Sequence, residues 1–302
     1  MNLPRGYAHP AYAEVYRGFG IPHRLEASGG TVLLRNIAGT DLRDAMGCYP
    51  IFCCHEWQGL ATDLEVLARN TVSLVLVADP FHGPHLAALH KLFDHVVPFK
   101  THYIADTDRP IEAFVPKSRL RAARRALRKL TVEIAEDPPS LVDDWLRLQV
   151  EACTKRRPTG MNVLPREAVE RLFAVVGLVV LRAVHEGNTV GMHVVFHQDD
   201  VVFGHFGAYS AVGYRLGAST ALHVCGIEYF SGKARWIDWG GVPGGADADT
   251  GLSHFKQDFS STRRTVFLCG RVFDRATYER LTARLTPNPH PYFPAYRQGE
   301  LI

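Results

Sequence analysis

Lys256 is the residue whose surroundings in the sequence point most directly to chemistry. It lies in Trp236-Ile-Asp-Trp-Gly-Gly-Val-Pro-Gly-Gly-Ala-Asp-Ala-Asp-Thr-Gly-Leu-Ser-His-Phe-Lys-Gln-Asp-Phe259. An apolar run delivers Asp238 and breaks at Gly240 and Gly241. A loop with two more carboxylates, Asp247 and Asp249, follows, and the chain returns through Phe255 and Lys256 with an aromatic at Phe259. The order predicts strand, glycine loop, lysine, strand. Glycines let the backbone approach a ligand closely, and loops on a rigid scaffold often carry function. A lysine fixed in such a loop can meet negative charge that develops in a transition state. The competing reading of Lys256 is a solvated surface lysine. Asp238, at a strand end, could accept a hydrogen bond from a substrate or orient Lys256, or it could organise its own loop through Asx-type bonds. Asp247 and Asp249 read as solvated loop residues.

A second group is cationic. Residues 117–129 hold seven basic side chains and no acidic one, Arg119, Arg121, Arg124, Arg125, Arg128 and Lys129 among them. Leu120, Ala123, Leu127 and Leu130 follow the helical period, so one face of this helix packs. A charge run is usually a solvated face, but this many cations without a counter-charge suit phosphate. Lys155, Arg156 and Arg157 could extend the patch. No aromatic is interleaved, which argues against base stacking there.

Histidines form the third group. His193 and His197 sit four apart on a predicted strand and share a face, and His205 lies on the next strand. They could hold a general base, but no metal-ligand motif accompanies them and no metal is expected. The five histidines from His82 to His102 are scattered over loop and helix and read as incidental.

These groups need positioning elements. Strand patterns fall at 31–37, 49–54, 71–78 and 96–104, with short helices at 11–19 and 85–93. Pro110 and Pro116 mark a change of character. Helices are predicted at 118–130, 141–153 and 165–175, with a strand at 131–135. A three-strand meander follows at 178–185, 189–197 and 201–209, turning at Glu186-Gly-Asn188 and Gln198-Asp199-Asp200. A helix over 217–230, strands at 234–239 and 265–272, and a helix at 274–285 complete the order. The pattern is mixed α/β.

Composition is that of a globular protein: 46% hydrophobic, 22% charged, net charge +3. With 302 residues there is length for two modest domains. No apolar run approaches a membrane span, and the N-terminus lacks the pattern of a signal peptide. A cytoplasmic protein without membrane insertion is expected, with its six cysteines reduced.

The element order over 178–239 resembles the acyltransferase core of the GNAT superfamily. The ending Asp238-Trp-Gly240-Gly241…Phe255-Lys256-Gln-Asp-Phe259 is similar to the FemABX branch, and the basic helix is similar to that branch's segment before its second domain. The resemblance implies tandem GNAT-like domains, α/β (α+β), each a largely antiparallel sheet flanked by helices: a degenerate one over 1–112 and an acyltransferase one over 113–302. It implies transfer of an aminoacyl group from aminoacyl-tRNA to the amine of a small molecule or peptidoglycan-type precursor, with no tightly bound cofactor. Lys256 and Asp238 would be catalytic. Phe255, Gly240, Gly241, Tyr209, His205 and Arg215 would contact substrate or donor, and Arg119, Arg121, Arg124, Arg125, Arg128 and Lys129 would meet RNA phosphate. Two departures stand out. There is no long coiled-coil insertion, which favours a small acceptor and a monomer. The superfamily's pyrophosphate loop survives only as Tyr214-Arg215-Leu216-Gly217-Ala218-Ser219, with its first and last positions changed, which weakens the case for coenzyme A as donor. Acyl-CoA-dependent transfer on the same fold, or a non-catalytic RNA- or nucleotide-binding module, are the alternatives.

Overall fold

The computed structural model of the chain describes residues 4–156, 161, 163–243, 250–283 and 292–298. The chain divides into two compact units: Met1–Phe99 with Thr159–Asn162 and Val266–Ile302, and Lys100–Pro158 with Val163–Thr265.

In the first unit, helix α1 (Pro10–Val15) precedes β1 (Ile21–Arg24), β2 (Thr31–Asn36) and β3 (Arg43–Gly47); α2 (Leu60–Leu67), β4 (Ser73–Val77) and α3 (Leu86–Leu92) follow. The strands lie in chain order, β3 and β4 parallel, and residues 268–272 pair antiparallel with β4. Leu60, Leu64, Leu74 and Leu76 are at its core. The segment 49–54 forms only a single bridge, Phe52 to Ala78, rather than a strand. Strand β3 was hidden by its composition: Arg43-Asp-Ala-Met-Gly has no β-branched residue. Its buried Asp44 is accommodated because the guanidinium groups of Arg35 and Arg297 both donate to it.

The second unit contains β5 (His95–Asp106, from residue 100 on), α4 (Lys117–Ala126), β6 (Thr131–Ile134), α5 (Val142–Arg156) and α6 (Arg166–Phe173). The meander β7 (Leu178–His185), β8 (Asn188–Gln198) and β9 (Val201–Tyr209) follows, then α7 (Ala211–Leu216), α8 (Ala218–Phe230), β10 (Trp236–Asp238) and α9 (Gly251–Gln257). The strand order is β5-β10-β9-β8-β7-β6. Every neighbouring pair is antiparallel except β9 with β10, which run parallel. The chain then returns to the first unit through β11 (Thr262–Val272) and α10 (Arg275–Thr282). Mixed α/β architecture with largely antiparallel sheets is therefore what the molecule has.

The meander lies where its apolar runs and turn residues placed it. Glu186 and Gly187 have positive φ (49° and 77°), the backbone of a tight hairpin turn. Strand β8 is buried on both faces from Thr189 to Phe196. Helix α8 is apolar on most of its faces and largely buried, with Glu228 exposed near its end, as expected of a helix packed on two sides. One of its neighbours is α4, whose Leu120, Ala123 and Ala126 join Ala218, Ala221 and Leu222 in the core. Ala126 takes the buried position expected for Leu127, which is 38% exposed. Deletion of the Leu222 side chain, fully buried on α8, is expected to cost about 2–5 kcal/mol. Urea unfolding of Leu222→Ala at fixed pH measures it.

Candidate active site

Strand β10 is short because it ends at a backbone that other elements pull on. Asp238 is buried at its end, 2% exposed. Its Oδ1 accepts the Gly240 N–H at 2.7 Å, an Asx-type bond that turns the chain out of the strand. Its Oδ2 is 2.8 Å from His102 Nδ1 on β5. Gly240 has φ +72°, which favours glycine. Gly241 needs glycine for space: a Cβ there would come within 3.0 Å of the Lys100 side chain and 3.3 Å of the Thr101 carbonyl.

Lys256 is on helix α9, not on a returning strand. The helix starts with a capping box in which Thr250 Oγ1 accepts from Ser253 N–H and Ser253 Oγ accepts from Thr250 N–H. From its last turn Lys256 reaches back to β10: Nζ donates to the carbonyls of Trp239 and Gly241, both at 2.6 Å. Burial pulls the lysine down to about 8, with Asp238 opposing the shift and Lys100 adding to it. Burial also lowers Lys100. Asp238 thus favours the Lys256 cation through the field while its two oxygens are bonded to Gly240 and His102.

An aromatic cluster backs this helix. The His223 ring from α8 lies 4.5 Å from Trp239, 5.0 Å from Phe255 and 4.8 Å from Phe259, centroid to centroid. Trp239 Nε1 donates to the Phe259 carbonyl at 3.0 Å. His193 packs edge-on to His223 at 4.6 Å and shares a hydrogen bond between its Nε2 and the Tyr209 hydroxyl. Burial pushes His193 well below its ordinary range, with His223 and Lys256 adding to the shift. Burial likewise takes His223 to about 4, against a hydrogen bond to the Ser219 carbonyl. Both rings are neutral at pH 7, and Tyr209 is the partner of one of them.

The other expected residues separate into three groups. His205 does not join His193. It is the extra residue at a bulge between β8 and β9, and it packs on Phe196 and Phe206. Phe196 alternates to the face opposite His193 and His197, and burial takes His205 to about 3. Among the described residues no group of histidine, cysteine or carboxylate side chains could hold a metal. Arg119 differs from the rest of the basic helix in being half-buried and partnered: its Nε donates to Asp258 Oδ2 at 2.8 Å, and its guanidinium lies 5.1 Å over the Phe255 ring. Arg121, Arg124, Arg125, Arg128 and Lys129 are exposed, and no ion pair engages them among the described residues. The segment Tyr214 to Ser219 is helical rather than an open loop. Helix α7 runs to Leu216, Gly217 turns with φ +80°, and α8 begins at Ala218. Arg215 is exposed in the last turn of α7. Asp247, Asp249, Arg157 and the side chains of Lys155 and Arg156 lie outside the described residues.

His102 was missed. In the sequence it is one histidine among five without a motif, and only the pairing of β5 with β10, Ile104 opposite Asp238, brings it to the carboxylate.

The sequence model of the acetyltransferase (GNAT) domain family matches residues 117–257, which span the whole constellation except His102, Phe259 and Asp258. No curated protein matches in sequence. The crystal structure of FemX is similar over 92% of this chain and 95% of that one, with 12% identity and a TM-score of 0.70. The C-terminal domain of a putative lysylphosphatidylglycerol synthetase from Agrobacterium fabrum is similar over 90% of this chain and 91% of that one, with 12% identity and a TM-score of 0.64. L-PGS from Bacillus licheniformis gives 90% and 93%, 11% identity and a TM-score of 0.63. No helix of the described residues is long and apolar enough to cross a membrane.

The lowered Lys256 value makes a sign-definite prediction. Between about 8 and the ordinary lysine value of 10.5, the unfolded chain holds the proton and the folded chain does not. The contribution of this group to stability therefore rises with pH through that window. Below it the cost of burying the ammonium is present in full. The difference in unfolding free energy between wild type and Lys256→Met should shift in favour of wild type as pH increases through this window, measured by urea unfolding at several pH values.

Proposed function

We propose that this chain, whose residues 117–257 form a GNAT-family domain on a FemX-like fold, is an N-acyltransferase that moves an aminoacyl group from aminoacyl-tRNA to an amine. The observation that carries the reading is the Lys256 ammonium, held by two backbone carbonyls at the end of β10. An ammonium has three N–H donors, so two anchor it and the third serves the reaction. Attack of an amine on an ester carbonyl puts negative charge on the carbonyl oxygen. A donor already fixed there needs no reorganisation when that charge appears. Phe255, one residue away and packed edge-on and tilted in the aromatic cluster, gives the acyl group an apolar wall. Gly240 and Gly241 shape the turn and let the backbone approach the reacting carbonyl. Asp238 orients the turn.

Two features favour aminoacyl-tRNA over acyl-CoA as donor. The exposed cations of α4 and its C-terminal turn, Arg121 to Lys129, suit the phosphates of an acceptor stem. The segment that would cradle a pyrophosphate is taken up by α7 and its junction with α8. The names of two similar structures, lysylphosphatidylglycerol synthetase and L-PGS, point the same way, since such a product carries an aminoacyl group. The acceptor is a small-molecule amine or a peptidoglycan-type precursor.

Lys256→Ala should lower kcat by about 10²–10³ while leaving tRNA affinity unchanged; near-wild-type turnover sinks the mechanism. RNase treatment should abolish product formation from a charged tRNA pool, whereas activity that survives RNase and requires acyl-CoA selects the other donor. Reversing Arg124 and Arg125 to glutamate should weaken tRNA binding and flatten its dependence on salt by about one unit of log–log slope per lost phosphate contact, read by filter binding from low to physiological salt.

A further inference from the structure

The attacking amine must lose a proton, and the lysine that meets the carbonyl cannot take it while it is a cation. We propose that His102 is the general base of the transfer and that Asp238 is its positioning residue. This rests on the acyl-transfer reading above. Asp238 is anchored from one side by the Gly240 N–H, and its second oxygen faces His102 Nδ1 at 2.8 Å. A carboxylate only accepts, so Nδ1 carries a hydrogen toward it, and Nε2 is the nitrogen that holds the lone pair whenever the ring is neutral. No hydrogen bond engages Nε2 among the described residues, and it is not among the buried polar atoms sealed from solvent. The ring is thus fixed at one nitrogen and open at the other, an orientation that suits proton abstraction.

Position supports the same role. Backbone bonds tie β5 to the segment that carries Lys256's anchors: Trp239 N–H donates to the Tyr103 carbonyl at 2.9 Å, and Tyr103 N–H donates to the Gly240 carbonyl at 3.4 Å. The cation and the base are therefore both referenced to residues 238–241, one through carbonyls and one through a carboxylate. The other buried histidines are held differently: His193 Nε2 is bonded to Tyr209, His205 packs on Phe196 and Phe206, and His223 has a backbone carbonyl, that of Ser219, at Nδ1 where His102 has a carboxylate. In the step itself the amine nitrogen bonds to the acyl carbon, and its proton passes to His102 Nε2. The ester C–O bond breaks, and the departing ribose oxygen takes a proton, so His102 returns to its starting state when it gives that proton up.

The test uses the full chain, a pool of tRNA charged with radiolabelled amino acids, and two probe acceptors. Ethylamine is protonated at neutral pH and must shed one proton to attack and a second as the bond forms. Hydroxylamine is neutral there, sheds only the second, and gives a more acidic adduct, so it leans less on a base. His102→Asn keeps an N–H donor at the position of Nδ1 for Asp238 but has no basic nitrogen. It should fold, with a melt like that of wild type, and lose about 10²–10⁴ in rate with ethylamine, but under about tenfold with hydroxylamine. Added imidazole should restore part of the ethylamine rate in His102→Ala. In wild type, ¹⁵N-edited NMR should show His102 protonated at Nδ1 only, a signal that Asp238→Asn alters. Equal losses with both acceptors, unchanged rates, or a proton on Nε2 would each overturn the assignment. If wild type transfers to neither acceptor from aminoacyl-tRNA or acyl-CoA, it is the acyl-transfer reading that fails, and the NMR result still decides the state of the ring.

Discussion

A lysine ammonium shared between two backbone carbonyls is the interaction on which the site depends. The Trp239 and Gly241 carbonyls converge on Lys256 Nζ because Gly240 between them takes a left-handed φ. Hydrogen bonds from a charged donor are shorter and about twice as strong as neutral ones, so this one side chain fastens α9 to the exit of β10. The same burial that strengthens the bonds makes the charge costly. Asp238 offsets part of that cost through its field, without a direct bond to the ammonium. Cation, carboxylate and turn therefore form one unit, and none of the three would hold its geometry alone.

The rest of the second unit keeps that arrangement dry and stiff. Strand β8 is buried on both faces, and α8 is apolar on most of its faces. Together they exclude water from the rings behind α9. His193 and His223 remain neutral there because charging either would require solvating it. In this environment the histidines act as aromatic packing with polar edges: one edge takes Tyr209, the other the Ser219 carbonyl. Neutral rings also add no charge to that of Lys100, which already opposes the Lys256 cation.

Much of this was legible in the sequence because it was written locally. The meander showed its apolar runs and the turns between them, the basic helix its period of three to four, and the glycine pair its turn. Lys256 and Asp238 stood out for their place in that pattern. What was hidden was written across the chain. His102 has no motif, and its partner is 136 residues away. Helix α9 was disguised by glycine at its first position and by serine where a capping box more often has glutamate. Arg119 looked like its neighbours on α4, since nothing local distinguishes a guanidinium that will stack on Phe255. His205 lies on the strand beside His193, but the bulge between β8 and β9 that keeps it apart leaves no mark in the local sequence.

The partners of Arg119 divide one helix into two kinds of charge. Its guanidinium spans α4 and α9, bonded to Asp258 and lying over Phe255 one residue from Lys256. The cations from Arg121 to Lys129 lie on the surface. Substitutions among the outer charges can therefore drift, accumulate or change sign with the lysine's geometry insulated from them. Arg119 has no such freedom. A single element thus carries charges that can vary and one that is held, with the boundary between the two falling inside one turn of helix.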